Sequence, residues 1–322
     1  MPKISSDMIH PELRKKARSI NTSQTFSLRR MKLMKLACRM LRGYHSHKMR
    51  YAQRSIARHD GTKLRICVYT PLKKKENVPG LLWIHGGGYA FGIPEQDDIY
   101  IRRFVEASGA VVVSPDYTLS TDKPWPAALE DCYAALLWLR DNGEAYGMRQ
   151  DQIFIGGNSA GGGLTAAVSL YARDKGEPAL AFQMPLYPMI DDRPTPSSTD
   201  NYAPVWNSAL NNGAWQLYLG DYCGSAEVPI YAAPGRAGDY SGFPPVCTFV
   251  GSIDPFFDET VTFIEKLKQN NIPVHFKTFD GCFHAFDQMC LGANIAKQAI
   301  SFLMESYMFA VNNYFSPQGK KI

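Results

Sequence analysis

The chain has 322 residues, 45% of them hydrophobic and 20% charged, a composition that excludes disorder and collagen-like order and suits one large α/β unit built on a single sheet. Its net charge of +5 hides an asymmetry: residues 1–75 hold 20 of the 35 Lys and Arg but 3 of the 30 Asp and Glu. Such a basic head can serve a membrane surface or a nucleic acid, but no zinc spacing, RNA-binding signature or stacking platform accompanies it. It reads as the solvated face of a helical segment, with no nucleic-acid partner expected; contact with anionic lipid is the lesser reading, left open.

Along the chain, residues 1–50 read as helical. Leu28, Met31, Met34, Ala37 and Leu41 recur at three- and four-residue steps, which puts an apolar stripe on one helix face. From about residue 52 the pattern alternates between short apolar runs and helical spacing. Strands are expected at 64–69, 81–85, 110–114, 153–155, 181–186, 246–250 and 274–279. Helices are expected at 127–141, 160–173, 259–269 and 294–312. Residues 192–243 break this rhythm with Pro, Ser, Asn, Gly and aromatics, among them Trp206, Trp215, Tyr218 and Tyr222, and read as an insertion. Two parts follow: an N-terminal helical segment, 1–50, and a main domain, 51–322, interrupted at 192–243. Strands alternating with helices predict a mostly parallel sheet covered on both faces.

The seven cysteines are odd in number and irregularly spaced, which favours free thiols in a reducing compartment over a disulfide framework. The longest basic-apolar segment, 28–41, is interrupted by Arg29, Arg30, Lys32, Lys35 and Arg39, so it is neither a signal-peptide core nor a membrane span. The expected location is cytoplasmic. No Cys/His cluster with metal-ligand spacing occurs, and neither metal nor cofactor is expected.

Parallel sheets place ligands at the carboxyl ends of their strands, so the residues just after each strand carry the functional reading. The strand at 153–155 runs into Gly157-Asn158-Ser159-Ala160-Gly161. This G-x-S-x-G pattern lifts a serine hydroxyl above the sheet on a sharp strand-to-helix turn, and the helix N-terminus favours negative charge developing there. The strand at 81–85 runs into Gly86-Gly87-Gly88. Backbone N–H groups of Gly86 and Gly87, with that of Ala160, can receive the oxyanion of a tetrahedral intermediate. One such donor is worth about 3–4 kcal/mol. Phosphate binding is the rival reading of this loop, but no Lys-Ser/Thr pair follows it and no G-x-G-x-x-G forms.

The strand at 246–250 ends near Asp254, an acid placed to orient an imidazole; Asp258 is its rival, one helical turn further on. The strand at 274–279 ends near His284, a candidate general base. Of the other histidines, His10, His45, His47 and His59 precede the core, His275 lies inside a strand, and His85 reads as a structural anchor of the glycine loop.

Together these residues resemble the hormone-sensitive-lipase-like carboxylesterase family of the α/β-hydrolase fold. The resemblance spans roughly residues 65–312. It rests on HGGGY at 85–89, GNSAGG at 157–162, DPFFDE at 254–259 and GCFHAF at 281–286, with a further similar tract at Asp116-Tyr117 and at 124–131. The order Ser159, Asp254, His284 is that of α/β-hydrolases. The resemblance implies hydrolysis of short-chain carboxylic esters through an acyl-enzyme on Ser159. It also implies a cap, made of residues 1–50 and part of 192–243, and a homodimer joined through an edge strand. Two positions depart from the family pattern. Asn158 stands where Asp is usual, and Thr118-Leu119-Ser120-Thr121-Asp122 stands where Arg-Leu-Ala-Pro-Glu is usual.

Two other functions share these residues. A non-catalytic small-molecule receptor on this fold typically loses the histidine, and His284 is present. An amidase or peptidase would use the same triad, because the fold does not fix the leaving group.

Overall fold

The computed structural model describes residues 4–20, 22–58 and 60–319; His59, set aside above, lies outside them. The chain opens with a single 3-10 turn and α1 (Arg14–Ser19), followed by α2 (Leu28–Arg39). Then come β1 (Met49–Ala57), β2 (Lys63–Pro71), β3 (Val78–Ile84), α3 (Asp98–Ser108), β4 (Val111–Pro115), α4 (Ala127–Asn142), β5 (Met148–Asn158), α5 (Ala160–Lys175) and β6 (Phe182–Leu186). The remainder is α6 (Ser208–Leu219), β7 (Val246–Gly251), α7 (Phe257–Gln269), β8 (Val274–Phe279), α8 (Phe286–Met289) and α9 (Asn294–Asn313).

Eight strands form one sheet in the order β1-β2-β4-β3-β5-β6-β7-β8. β2 runs antiparallel to both β1 and β4, and every other pairing is parallel. The loops after β3, β5, β7 and β8 therefore emerge at one edge. Alternate side chains feed two separate layers, as a pleated strand requires. From β3, Leu81 and Trp83 join Tyr100 and Phe104 of α3 and Tyr307 of α9. Leu82 and Ile84 join Leu136 of α4 and Leu164 of α5 on the opposite face. With both faces covered, β3 and β4 are buried throughout, which explains their uninterrupted apolar runs.

Each expected strand is present, but the sequence reading has no element at β1, α3 or α6. β1 alternates in space without an apolar alternation in sequence, because it lies at the sheet edge and is largely exposed. α3 does carry a signal: Tyr100, Ile101, Phe104 and Val105 are all buried and recur at helical spacing. The helical stripe at 28–41 needs correction. Met31 is buried and Met34 half-buried, whereas Leu28, Ala37 and Leu41 are exposed.

The N-terminal segment packs across the insertion. The Val205 N–H donates to Thr22 Oγ1 at 2.8 Å, and Asn207 Nδ2 donates to the Ser23 carbonyl at 2.9 Å. Phe26 lies so close to Gly213 that a Cβ there would sit 2.1 Å from its ring. Among the described residues no helix is long and apolar enough to cross a membrane.

Candidate active site

β5 ends at Asn158 and α5 begins at Ala160, so Ser159 alone makes the turn. Its φ of 57° and ψ of −123° are strained for a residue with a Cβ, and such strain persists only where the surroundings enforce it. Here the crossing enforces it. A Cβ on Gly157 would meet the Ile84 carbonyl oxygen at 2.4 Å, and one on Gly161 would meet the same oxygen at 2.1 Å. The Ser159 N–H is meanwhile tied to the Leu186 carbonyl at 3.0 Å.

Three of the sequence candidates meet in one line. His284 Nε2 lies 2.8 Å from Ser159 Oγ, and His284 Nδ1 lies 2.8 Å from Asp254 Oδ2. The other carboxylate oxygen of Asp254 accepts the Phe256 N–H at 2.9 Å. All three residues are buried. The imidazole is boxed by aromatic rings, with centroids of Tyr187 and Phe256 each 5.0 Å away and nearly perpendicular. Ala285, next in sequence, has a φ of 56°, so the chain turns sharply to present this ring. Asp258 is elsewhere: its carboxylate accepts the Ser197 N–H at 2.6 Å and ties the start of the insertion to α7.

The glycine loop lies beside Ser159. A Cβ on Gly86 would sit 2.2 Å from Asn158 Oδ1 and 3.2 Å from the Ser159 Cβ. The Gly86 carbonyl is turned away into hydrogen bonds with His85 Nδ1 at 2.9 Å and Gln96 Nε2 at 3.1 Å. His85 is fully buried and stacks on Tyr117 at 4.3 Å. Burial pushes its pKa down to about 4, so it is a neutral anchor of the loop. Gly86 and Gly87 line the cavity together with Ser159 and His284. Ala160 is buried at the first position of α5, where the backbone N–H has no acceptor within the helix.

The cavity measures about 330 Å³, within the usual range for small ligands. Met31 and Met34 of α2, Trp206, Leu210 of α6 and Met289 of α8 are part of its apolar wall. Among the described residues no cluster of His, Cys, Asp and Glu is placed to hold a metal.

Both departures from the family pattern have local partners. Asn158 Nδ2 donates to Asp97 Oδ2 at 2.6 Å, and Trp83 Nε1 donates to the same oxygen at 2.9 Å. Burial pushes the Asp97 pKa up to about 7 against these two hydrogen bonds. A carboxylate at 158 would face another carboxylate there; an amide is the compatible group. At the second position, Thr118 donates to Asp131 through both its N–H and its hydroxyl, each at 2.7 Å. Arg58 forks onto the same carboxylate at 2.5 and 3.0 Å, so this carboxylate keeps a guanidinium partner. The sequence reading missed Asp97 and Gln96. Their only trace is the polar run 95–98 after the glycine loop.

A family described as alpha/beta hydrolase fold matches residues 81–288. Carboxylesterase NlhH of Mycobacterium tuberculosis is 31% identical over 255 residues, 78% of this chain and 80% of its own. The arylesterase of Saccharolobus solfataricus is 31% identical over 232 residues, 70% of this chain and 73% of its own. Among solved structures, a bacterial heroin esterase superposes with a TM-score of 0.87 at 29% identity, covering 95% of this chain and 98% of that one. An esterase of Pyrobaculum calidifontis gives 0.81 at 28% identity, covering 94% and 99%. The matched region contains all four motifs, and the chain belongs to the hormone-sensitive-lipase-like carboxylesterase family of the α/β-hydrolase fold, a family of serine carboxylic ester hydrolases.

Proposed function

We propose that the protein hydrolyses short-chain carboxylic esters through an acyl-enzyme on Ser159, with His284 as general base and Asp254 as its orienting acid. The observation that carries this reading is the line of two 2.8 Å contacts from Ser159 through His284 to Asp254, at the foot of an apolar cavity. Ser159 Oγ attacks the ester carbonyl carbon while its proton passes to His284 Nε2. Asp254 holds the Nδ1–H tautomer and stabilises the imidazolium. The carbonyl oxygen becomes an oxyanion, received by the N–H groups of Gly86, Gly87 and Ala160. Collapse breaks the bond to the alcohol oxygen, which takes the proton from His284. Water then attacks the acyl carbon, its proton passing to His284 and on to Ser159 Oγ as the acid is released.

The short-chain preference is supported by the walls. Met31 and Met34 close the cavity on one side and Trp206 and Leu210 on another, which is the cap role for residues 1–50 and part of 192–243. Esters are favoured over amides by the activities named for the relatives, carboxylesterase and arylesterase. A panel of aryl acetates, butyrates and the matching anilides tests the reading. Acetate and butyrate turnover that Ser159→Ala abolishes, with negligible anilide cleavage, is the expected result. Full turnover by Ser159→Ala, or anilides cleaved as fast as esters, would contradict it.

A further inference from the structure

α2 is apolar on two opposite faces. Met31 and Met34 look into the cavity. On the other side, Leu33, Leu36, Ala37 and Met40 recur at helical spacing and are all exposed. Leu33 is 67% exposed, Leu36 60% and Met40 88%. Leu41 and Tyr44, in the turn that follows, are exposed as well. Of the fourteen large apolar side chains left exposed among the described residues, six fall between 28 and 44. Scattered apolar side chains are ordinary on a surface, but a contiguous set marks a contact.

The same stretch is strongly basic. Arg29 and Lys32 are exposed beside the apolar ridge, Arg39 and Arg42 are exposed at the rim of a groove they share with Asp116 and Asp122, and the sequence has no Asp or Glu between Glu12 and Asp60. The acid that reaches α2, Asp122, pairs with Lys35 on the side turned toward the main domain.

We propose that the outer face of α2 and the turn after it dock on an anionic lipid membrane surface. A helix with Leu and Met on one face and Arg and Lys along its flanks lies in the headgroup region, apolar side down, with the cations against lipid phosphates. The charge pattern favours this occupant over a second copy of the chain. A two-fold contact would set the patch against itself, bringing Arg29 and Lys32 of both copies together, and the sequence from 13 to 59 has no Asp or Glu to answer them. A nucleic acid would satisfy the cations and leave the Leu33, Leu36 and Met40 ridge in water. Lipid satisfies both. Because the opposite face of the helix lines the cavity, docking would bring that cavity to within about one helix diameter, ~10 Å, of the acyl chains. The surface assignment stands apart from the catalytic reading, since binding is measured without turnover.

The test is co-sedimentation of the full chain with vesicles of phosphatidylcholine alone and of phosphatidylcholine mixed with phosphatidylglycerol. The expected result is at least roughly tenfold stronger binding to the anionic vesicles, weakening as salt is raised. Leu36→Asp with Met40→Asp, and separately Arg29→Glu with Lys32→Glu, should each lose that binding while turnover of a water-soluble aryl acetate stays unchanged. A protein that stays in solution with both vesicle types overturns the proposal, as do variants that bind like the native chain. A concentration-dependent dimer abolished by the Leu36/Met40 pair, without vesicle binding, would overturn it in favour of a second copy. Retention by a DNA duplex without vesicle binding would overturn it in favour of nucleic acid.

Discussion

At the residue scale, the turn at Ser159 depends on a neighbour that the linear sequence hides. Asn158 and Asp97 are 61 positions apart, and one hydrogen bond of 2.6 Å joins them beside Ser159. The amide is there because the carboxylate is. Asn158→Asp would set two buried carboxylates against each other. They would share one proton at low pH and repel as the second ionises. The account predicts a kcat/KM for an aryl acetate that falls by about tenfold or more relative to the native protein as pH rises toward 8. Exchanging the pair, Asp97→Asn with Asn158→Asp, restores one acid and one amide and should recover most of the loss. An Asn158→Asp enzyme with a native pH profile would show that the pair does not hold the turn. Ser159 and His284 could be singled out in the sequence as candidates because each sits one short loop past an apolar run. Asp97 could not, since no periodicity relates it to position 158.

At the scale of elements, apolar period finds helices and strands but does not say what covers them. It predicts α4, α7 and α9 well, because each turns one apolar face to the sheet, and α5 because it is buried on nearly every side for most of its length. It is ambiguous for α2, where 31 and 34 form one row and 33, 36 and 40 another. Only the docked position of the helix shows which row reaches the cavity. Under the proposed acyl-enzyme mechanism, that position makes α2 a determinant of acyl length. Met34→Trp should shorten the cavity and lower kcat/KM for a hexanoate ester relative to the acetate by roughly 10–100-fold, the range that small volume changes in apolar pockets give. An unchanged chain-length profile would remove α2 from the acyl site. β1 was invisible for a different reason. Its stability comes from nine paired positions along β2, and an edge strand needs no continuous apolar face.

At the scale of the whole molecule, the site rests on buried acids, and these make stability depend on pH. Burial pushes Asp97 up to about 7 and Asp287, which Tyr100 contacts, up to about 6. Unfolded, both would ionise near 3.8. Between those values the folded state holds more protons than the unfolded one, so this contribution falls as pH rises from about 4 to about 7 and is constant above. Each group costs at most about 1.4 kcal/mol per pH unit while it titrates. Asp97→Asn removes its share. Denaturant midpoints measured from pH 4 to 8 should show the variant gaining on the native chain up to about pH 7 and then running parallel. Curves parallel throughout would mean that Asp97 does not titrate with folding.

The central claim is that Ser159 is a nucleophile activated by His284. Stoichiometric labelling with a fluorophosphonate, followed by peptide mapping by mass spectrometry, tests it most directly. The account predicts one adduct per chain, on Ser159, absent in Ser159→Ala and slowed at least about a hundredfold in His284→Ala. An adduct at another residue, or full-rate labelling of Ser159 in the His284→Ala protein, would contradict it.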